Sequence, residues 1–281
     1  MEADNEIVPP TQRGDYGDFA AVDDAPDPQR FIRFLEQRQD SEAAQSRRQL
    51  SYELLEVREG QHLLDIGCGL GDDVRALARL VGASGRSVGL DNSERLLEVA
   101  RARSAGVEYP GEFIHADMHH LPFDAASFDG CRAERILIHS AQPTQVLAEM
   151  CRVVRAGGHI VVTEPDLDTL VFHASAHAVV RKLTQWHSDR LRNGTIGRWL
   201  PELFRQCGLA DVRVFPTVAQ SAKPSAYARA LAQRALEAGV LTSDEAQDIL
   251  ADWQRRAERQ DFLEFGVFFT VAGRVREAAG A

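Results

Sequence analysis

The sequence predicts an α/β fold in which a doubly wound, mostly parallel sheet of seven strands carries helices on both faces. Three observations predict this fold. Short apolar runs alternate with helical patterns from residue 62 to residue 163, as strands alternate with crossover helices in parallel sheets. A glycine-rich turn separates the first apolar run from the first helical pattern. The chain has 281 residues, 44% of them hydrophobic, which is enough for a substantial core.

The elements of the alternating region follow from the spacing of its apolar residues. Two helices are expected between Phe31 and Val57, before the first strand. Strands are predicted over residues 62–66, 86–90, 112–115, 128–133 and 159–163. Helices are predicted over residues 72–81, 93–105 and 143–154.

After the fifth strand the alternation is interrupted, and helical insertions are expected near residues 168–200 and 223–260. The predicted elements are helices over 174–191, 225–238 and 242–259, a helix ending near Gly208, a strand over 212–215 and a last strand in "FLEFGVFFTVAGRV". Thr242 and Glu245 have the spacing of a capping box, which marks the start of the last helix. The domain proper is expected to span residues 31–275.

Residues 1–30 lack helical or strand periodicity, and this segment contains four prolines and many acidic side chains. Such a composition is typical of a mobile arm rather than of core structure. The arm could order over a ligand, or cross to a neighbouring subunit and so support a homo-oligomer.

The composition restricts the classes of partner. A formal net charge of -10 disfavours binding to nucleic acid or to an anionic membrane, because both rely on clustered Lys and Arg. No uncharged apolar run reaches the roughly 20 residues of a membrane span, and no signal-peptide pattern is present, so a cytoplasmic location is expected. The four cysteines are too far apart to suggest a zinc site or a disulfide framework. We therefore expect a small-molecule partner and no metal.

The glycine-rich turn has the sequence "LLDIGCGLGDDVRALA", with Gly67, Gly69 and Gly71 at alternate positions. This spacing differs from the G-x-G-x-x-G pattern of dinucleotide-binding proteins. Asp72 and Asp73 fall in the first helical turn, where a diphosphate would require positive potential and free amides. The turn therefore favours a cationic ligand without phosphate.

Four further features follow the turn in order: Asp91 in "SVGLDNS", then "IHADMHHLPF", "SFDGCRAERILIHS" and "LAEMCRVVRAGGHIVVTEPD". Together with the D-x-G-x-G-x-G pattern of residues 65–71, they resemble the class I S-adenosylmethionine-dependent methyltransferases. The likeness is greatest to the small-molecule group, which includes quinone-biosynthesis and natural-product enzymes, and it covers residues 61–163. Ala156 stands where that family often has proline before the paired glycines.

This resemblance implies a cofactor, S-adenosylmethionine, and a set of residues that bind it. The turn would wrap the methionine part, Asp91 would accept from both ribose hydroxyls, and Asp117 would accept from the adenine amine. The implied cofactor-binding residues are Asp65, Gly67, Gly69, Gly71, Asp91, Asn92, Asp117, Met118 and Ala133. The structural alternatives are that Asp91 is a helix cap, that Asp117 is a plain loop carboxylate, and that Asp72 and Asp73 only complement the helix dipole.

Two residues are candidates for acid–base catalysis. A sulfonium already makes its methyl group electrophilic, so alignment of the acceptor should supply much of the acceleration. A general base would add about 10²- to 10⁴-fold for a hydroxyl or protonated amine acceptor. His139 and Glu164 follow the fourth and fifth strands, at the sheet edge where ligands bind. A structural role remains open for both.

Other polar residues near these strands have open roles. Arg135 could meet the carboxylate of the cofactor or pair with Glu134. His173 and His177 have the spacing of one helical turn, but no Glu or Cys accompanies them at ligand spacing, so a solvated or packed role is favoured.

The function expected is O- or N-methylation of a small, largely apolar metabolite in natural-product biosynthesis, with the helical insertions forming the acceptor site. C-methylation of a quinone or isoprenoid is the alternative within the same class. A nicotinamide-dependent oxidoreductase and a non-catalytic cofactor-binding protein belong to other classes. The glycine spacing disfavours the oxidoreductase, and the intact turn with Asp91 disfavours the non-catalytic protein.

Overall fold

A computed structural model describes residues 19–39 and 41–277. Its strands are β1 His62–Ile66, β2 Arg86–Asp91, β3 Glu112–His115, β4 Phe128–Glu134, β5 Val154–Phe172, β6 Ala210–Ser221 and β7 Glu264–Arg274. Its α-helices are α1 Gln29–Gln39, α2 Glu42–Leu54, α3 Asp72–Val81, α4 Glu94–Ser104, α5 Pro143–Val153, α6 His177–Arg190, α7 Ile196–Gln206, α8 Ala226–Glu237 and α9 Ser243–Arg259.

The seven strands form one sheet in the order β3-β2-β1-β4-β5-β7-β6. Strands β1 to β5 pair in parallel, whereas β7 runs antiparallel to both β5 and β6. The predicted α/β fold with a mostly parallel seven-stranded sheet is therefore confirmed. Because the order reverses beside β1, the carboxyl ends of β1 and β4 flank the crevice where such sheets bind ligands.

The central strands are apolar because helices cover both faces of the sheet. Leu64 and Ile66 of β1 and Cys131 of β4 are fully buried in the main core, which they share with apolar residues of α5 and α7. Side chains cap two of the helix starts, the second of them as predicted. Ser93 accepts a hydrogen bond from the backbone N–H of Leu96, and Thr242 and Glu245 form the capping box.

The main difference from the predicted elements is the length of β5 and β6. β5 was expected over residues 159–163 but continues to Phe172, where it still pairs with Glu264 of β7. β6 likewise extends beyond residues 212–215 because β7 pairs with it along 264–274. The antiparallel partner β7 is rich in aromatic and β-branched residues and lengthens both of its neighbours. Local periodicity does not reveal these contacts, because β7 lies about 100 residues after β5 and about 50 after β6.

Three of the inserted helices, α6, α8 and α9, form a second apolar cluster with the end of β5. Trp253 is fully buried at its centre, and its ring centroid lies 5.1 Å from that of Phe172. The cluster lies beside the extended ends of β5 and β7, so the helices cover that edge of the sheet. No helix in the described ranges is long and apolar enough to cross a bilayer.

Part of the segment expected to be a mobile arm lies within the described residues. Residues 1–18 lie outside the described residues. The expectation that the arm crosses to a neighbouring subunit therefore stays a prediction for that part. Residues 19–30 are packed: Val22 is buried in a cluster with Leu70 and Leu96. The carboxylate of Asp23 accepts hydrogen bonds from the hydroxyl of Ser93 and, at 2.8 Å, from the backbone N–H of Glu94. A few apolar residues and one helix-capping carboxylate are enough to hold a segment without periodicity.

Candidate cofactor and acceptor site

A cavity of about 650 Å³ opens at the carboxyl ends of the parallel strands. Most of the residues expected to bind the cofactor line it: Asp65, Gly67, Gly69, Asp91, Asn92, Asp117 and Met118. The same cavity is lined by His139 and by residues of α6, α8 and β7. Gly71, Ala133 and Glu164 are not among the described residues that line it.

The three glycines of the turn occupy positions where other residues would not fit. Gly67, Gly69 and Gly71 have φ values of +69°, +52° and +74°, which L-residues rarely adopt. A Cβ atom on Gly67 would lie 2.1 Å from Cγ2 of Ile136. On Gly71 it would lie 2.5 Å from the ring of Phe113, so Gly71 serves helix and strand packing. The turn therefore presents bare backbone to the cavity at Gly67 and Gly69.

Asp91 ends β2 directly beside this turn. Its Oδ2 accepts a hydrogen bond of 2.8 Å from the backbone N–H of Gly69, and its Oδ1 accepts one of 3.0 Å from that of Ser93. Burial raises the pKa of the Asp91 carboxyl against these hydrogen bonds. Ser93 and Asp23 supply the caps of α4. Asp91 is therefore not needed as the helix cap, and its carboxylate lines the cavity where a vicinal diol could donate to it.

Asp117 and Met118 lie in the loop after β3. Oδ1 of Asp117 accepts a hydrogen bond of 2.9 Å from the backbone N–H of His119 and lies 2.6 Å from Nδ1 of the same residue. Burial acts to raise the pKa of Asp117, but the hydrogen bonds from His119 outweigh it and lower the pKa. His119 is partly buried, with Nε2 2.9 Å from the hydroxyl of Ser140.

Ala133, expected to contact the cofactor, lies in the main core. Its neighbours Arg132 and Glu134 both line the cavity. Successive side chains of a strand point to opposite faces, which places the charged pair of β4 towards the site and Ala133 away from it.

Arg132 was not singled out from the sequence, yet it organises the cavity floor. Its guanidinium is buried, with Nη1 3.0 Å from Asp65 and 2.9 Å from Asp73, and Nη2 3.0 Å from Glu134. Tyr52 of α2 donates a hydrogen bond to Asp73. Asp73 therefore does more than complement the dipole of α3. The available signal was an arginine in the middle of the predicted fourth strand.

This cluster is acidic overall and suits a cation. The carboxylates of Asp65, Asp73 and Glu134 surround the guanidinium of Arg132. Nε of Arg47 lies 3.7 Å from the carboxylate of Glu134. Burial raises the pKa of Asp65 to about 7, although Arg132 opposes this change. A diphosphate would be repelled by these carboxylates, whereas a ligand with sulfonium and ammonium groups would be attracted. The bare turn, Asp91 and this cluster together fit the methyl donor expected from the sequence.

Glu164 is fully buried in β5. Its Oε1 accepts hydrogen bonds of 2.8 Å from the backbone N–H of Ile136 and 2.6 Å from that of Leu137. Burial raises the pKa of Glu164 to about 8 against these hydrogen bonds. Glu164 therefore holds the loop after β4, and a positioning role fits its location better than contact with an acceptor.

His139 ends that loop, in the short 3₁₀ helix Leu137–His139. It lines the cavity, and its ring centroid lies 5.6 Å from that of Phe19. Arg135 also lines the cavity, and its backbone N–H donates to the carbonyl of Thr163 at 2.9 Å. The carboxylate of Glu134 pairs with Arg132 and Arg47, so it does not form the pair with Arg135 that was one of the two alternatives for that residue.

The histidines of the inserted segment lie on α6 or just before it. His173 precedes α6, with Nδ1 2.8 Å from the carbonyl of Asp261, so it does not share a helical face with His177. Across residues 19–39 and 41–277, no group of three or more His, Cys, Asp or Glu side chains is arranged to hold a metal ion. His187 of α6 does line the cavity and is hydrogen-bonded to Tyr227 of α8.

Comparison with known proteins identifies the family. A family model described as a methyltransferase domain matches residues 58–208, more than half of the chain. The chain belongs to this family. S-adenosylmethionine, the cofactor expected from the sequence, is the methyl donor of such enzymes.

Two relatives and one solved structure illustrate the likeness. The chain is 36% identical over 246 residues to an uncharacterised 37.1 kDa protein of transposon Tn4556 from Streptomyces fradiae, covering 85% of this chain and 68% of that protein. It is 31% identical over 173 residues to demethylmenaquinone methyltransferase from Staphylococcus aureus, covering 56% of this chain and 71% of that enzyme. A structure from Anabaena variabilis, described as a methyltransferase from an antibiotic biosynthesis pathway, superposes with a TM-score of 0.58 at 19% identity. That superposition covers 80% of this chain and 96% of the other and shows the shared fold.

Replacing Asp91 tests the ribose contact. Asp91→Ala should weaken binding of S-adenosylhomocysteine by about 10- to 100-fold, because each hydrogen bond to a carboxylate is worth about 1.5–3 kcal/mol. Asp91→Asn keeps an acceptor for the backbone N–H of Gly69 but loses the negative charge. Its affinity for S-adenosylhomocysteine should lie between those of the wild type and Asp91→Ala. Isothermal titration calorimetry measures the affinities, with the exposed Asp248→Ala on α9 as control. An unchanged affinity in Asp91→Ala would remove the assignment.

Replacing Glu164 tests its protonation. The folded protein holds a proton at Glu164 up to about pH 8, whereas the unfolded chain releases it near pH 4.3. The wild type should therefore lose stability relative to Glu164→Gln as the pH rises through this window, by at most about 1.4 kcal/mol per pH unit. Urea unfolding at pH 5, 7 and 9 measures the difference, with the exposed Glu258→Gln as control. A difference independent of pH would contradict the assignment.

Proposed function

We propose that this methyltransferase transfers a methyl group to an oxygen or nitrogen of a small, largely apolar metabolite of natural-product biosynthesis. The observation that carries the proposal is a single cavity lined by the glycine turn and Asp91, by His139, and by the inserted helices. Donor and acceptor sites would thus belong to one continuous cavity, as methyl transfer in line with the carbon–sulfur bond requires.

The acceptor end of this cavity is mostly apolar. Its lining includes Leu167, Leu170 and Leu191 beside the inserted helices, and Phe265 and Phe268 of β7. Such walls bury the body of an apolar ligand while a few polar groups orient it. A net charge of -10 supports a small-molecule acceptor over a nucleic acid.

The residues of the chain have distinct parts in this reaction. When bound, S-adenosylmethionine supplies an electrophilic methyl group. Gly67, Gly69 and Asp91 would hold its methionine and ribose parts, and the carboxylates around Arg132 would favour its positive charge. Phe19, packed on His139, helps to exclude water from the cavity. A ring nitrogen of His139 would take the proton that the acceptor hydroxyl or amine loses.

C-methylation of a quinone or isoprenoid is the second candidate. The likeness to demethylmenaquinone methyltransferase favours it, because the name of that relative specifies a quinone acceptor. The same apolar walls would accept such a ring or chain. The two candidates differ in the atom that carries the new methyl group.

Ligand binding and turnover test the proposal. Calorimetry should give micromolar or tighter binding of S-adenosylhomocysteine and no binding of NAD. With a ¹³C-methyl donor and a panel of phenolic, amine and quinone acceptors, carbon NMR should show the label on oxygen or nitrogen. Label on carbon would establish the second candidate, and binding without turnover on any acceptor would favour a non-catalytic cofactor-binding protein.

His139→Ala tests the proton acceptor. Turnover on an oxygen or nitrogen acceptor should fall about 10²- to 10⁴-fold, because the proton loses its base. Affinity for S-adenosylhomocysteine should change less than threefold, since other residues hold the cofactor. His177→Ala, an exposed histidine outside the cavity, is the matched control. Equal turnover in wild type and His139→Ala would leave His139 with a structural role only.

A further inference from the structure

Arg135 has an unusual backbone conformation at the wall of the cavity. It follows Glu134, the last residue of β4, and its φ is +57°, in the left-handed region that residues other than glycine rarely adopt. Among the described non-glycine residues with a positive φ, Arg135 is the one that lines the cavity. Backbone strain of this kind is concentrated at functional sites, so this position indicates a role for the side chain beyond packing.

The backbone around Arg135 is fixed on two sides. Its N–H donates to the carbonyl of Thr163 at 2.9 Å, and the N–H of the next residue, Ile136, donates to Glu164 at 2.8 Å. Ile136 also lies against the glycine turn, where a Cβ atom on Gly67 would be 2.1 Å from its Cγ2. Arg135 is therefore held between the end of β5 and the turn expected to hold the methionine part of the donor.

The guanidinium of Arg135 has no hydrogen bond or ion pair within residues 19–39 and 41–277. Its Nε is buried, and buried polar atoms without a partner are uncommon in proteins. The other arginines of the cavity lining are engaged: carboxylates pair with Arg33, Arg47 and Arg132. Further interactions hold Arg30, Arg48, Arg190 and Arg234. A bound ligand is therefore the remaining source of a partner for Arg135.

The charges near Arg135 suit an amino-acid group. The methionine part of S-adenosylmethionine has an ammonium and a carboxylate on the same carbon atom. The acidic cluster of Asp65, Asp73 and Glu134 would attract the ammonium. The same cluster would repel the carboxylate unless a cation accompanies it, and Arg135 follows Glu134 directly in the chain. A guanidinium binds a carboxylate through paired hydrogen bonds, so Arg135 can supply the missing cation.

We propose that Arg135 binds the carboxylate of a reactant in this cavity. Two reactants could provide that group: the methionine part of the donor, which the acidic cluster favours, and an acidic group on the acceptor. This inference rests on the proposed function, because it places donor and acceptor in the same cavity. Separate binding experiments distinguish the two sources.

The donor is tested by calorimetry with S-adenosylhomocysteine and with its decarboxylated analogue, which keeps the amine but lacks the carboxylate. In Arg135→Gln the affinity for S-adenosylhomocysteine should fall about 10- to 100-fold, because a charged pair of hydrogen bonds is lost. The affinity for the analogue should change less than threefold. Arg135→Lys keeps the charge and should recover part of the affinity. Arg181→Gln, at an exposed position of α6 outside the cavity, should match the wild type.

The acceptor is tested with decanoate and decanol in the presence of saturating S-adenosylhomocysteine. If the carboxylate belongs to the acceptor, Arg135→Gln should weaken decanoate binding about 10- to 100-fold and leave the binding of decanol and of S-adenosylhomocysteine unchanged. The proposal is overturned if Arg135→Gln weakens neither S-adenosylhomocysteine nor decanoate. It is also overturned if S-adenosylhomocysteine and its decarboxylated analogue lose affinity equally.

A glycine variant keeps the test independent of folding. Glycine adopts the left-handed backbone without strain, so Arg135→Gly should fold even if Arg135→Gln does not, and its affinities should change in the same way. Unchanged affinities in Arg135→Gly would contradict the proposal. Failure of the wild type to bind S-adenosylhomocysteine would count against the proposed function, whereas normal binding that is insensitive to Arg135 would count against the carboxylate site alone.

Discussion

The buried guanidinium of Arg132 is the interaction on which the cofactor end of the molecule depends. It connects carboxylates from β1, α3 and β4, and through Asp73 and Glu134 it reaches Tyr52 and Arg47 of α2. A buried charge is tolerated only when its partners are present, and removal of one partner of such a group typically costs about 3–5 kcal/mol. The position of α2 against the sheet and the start of α3 are therefore tied to the same charge cluster that faces the cavity.

A second set of hydrogen bonds connects the two ends of the cavity. Glu164 holds the backbone of Ile136 and Leu137, and His119 joins the loop of Asp117 to Ser140. Asn193, after α6, donates from Nδ2 to the carbonyls of Leu137 and Ser140, both at 2.8 Å. The loop that carries His139 is thus held from the loop after β3, from β5 and from the helical insertion, which suits a residue that would have to be placed accurately against an acceptor.

The sequence predicts most strand and helix positions because the parallel core imposes a clear apolar pattern. β1, β3 and α3 have the expected bounds, since each is delimited by local signals such as the glycine turn. The features missed depend on contacts between distant segments. The length of β5 is set by β7, and Asp23 acts through a helix start about 70 residues away.

The candidate site shows the same division. Asp91 beside Gly69 was predictable because a motif places both at neighbouring strand ends. Arg132 was not, because its partners Asp65 and Asp73 are 67 and 59 residues away, and a single charge in a strand does not identify them. Because successive side chains of a strand point to opposite faces, the sequence of β4 could have been used to predict Arg132 at the site and Ala133 in the core.

The distribution of charge along the cavity follows the course of the proposed reaction. The end beside the glycine turn has three carboxylates, those of Asp65, Asp73 and Glu134, around Arg132. Methyl transfer neutralises the sulfonium, so the carboxylates attract the donor more strongly than the product. The carboxylates thus favour binding of the donor and release of the spent cofactor after transfer.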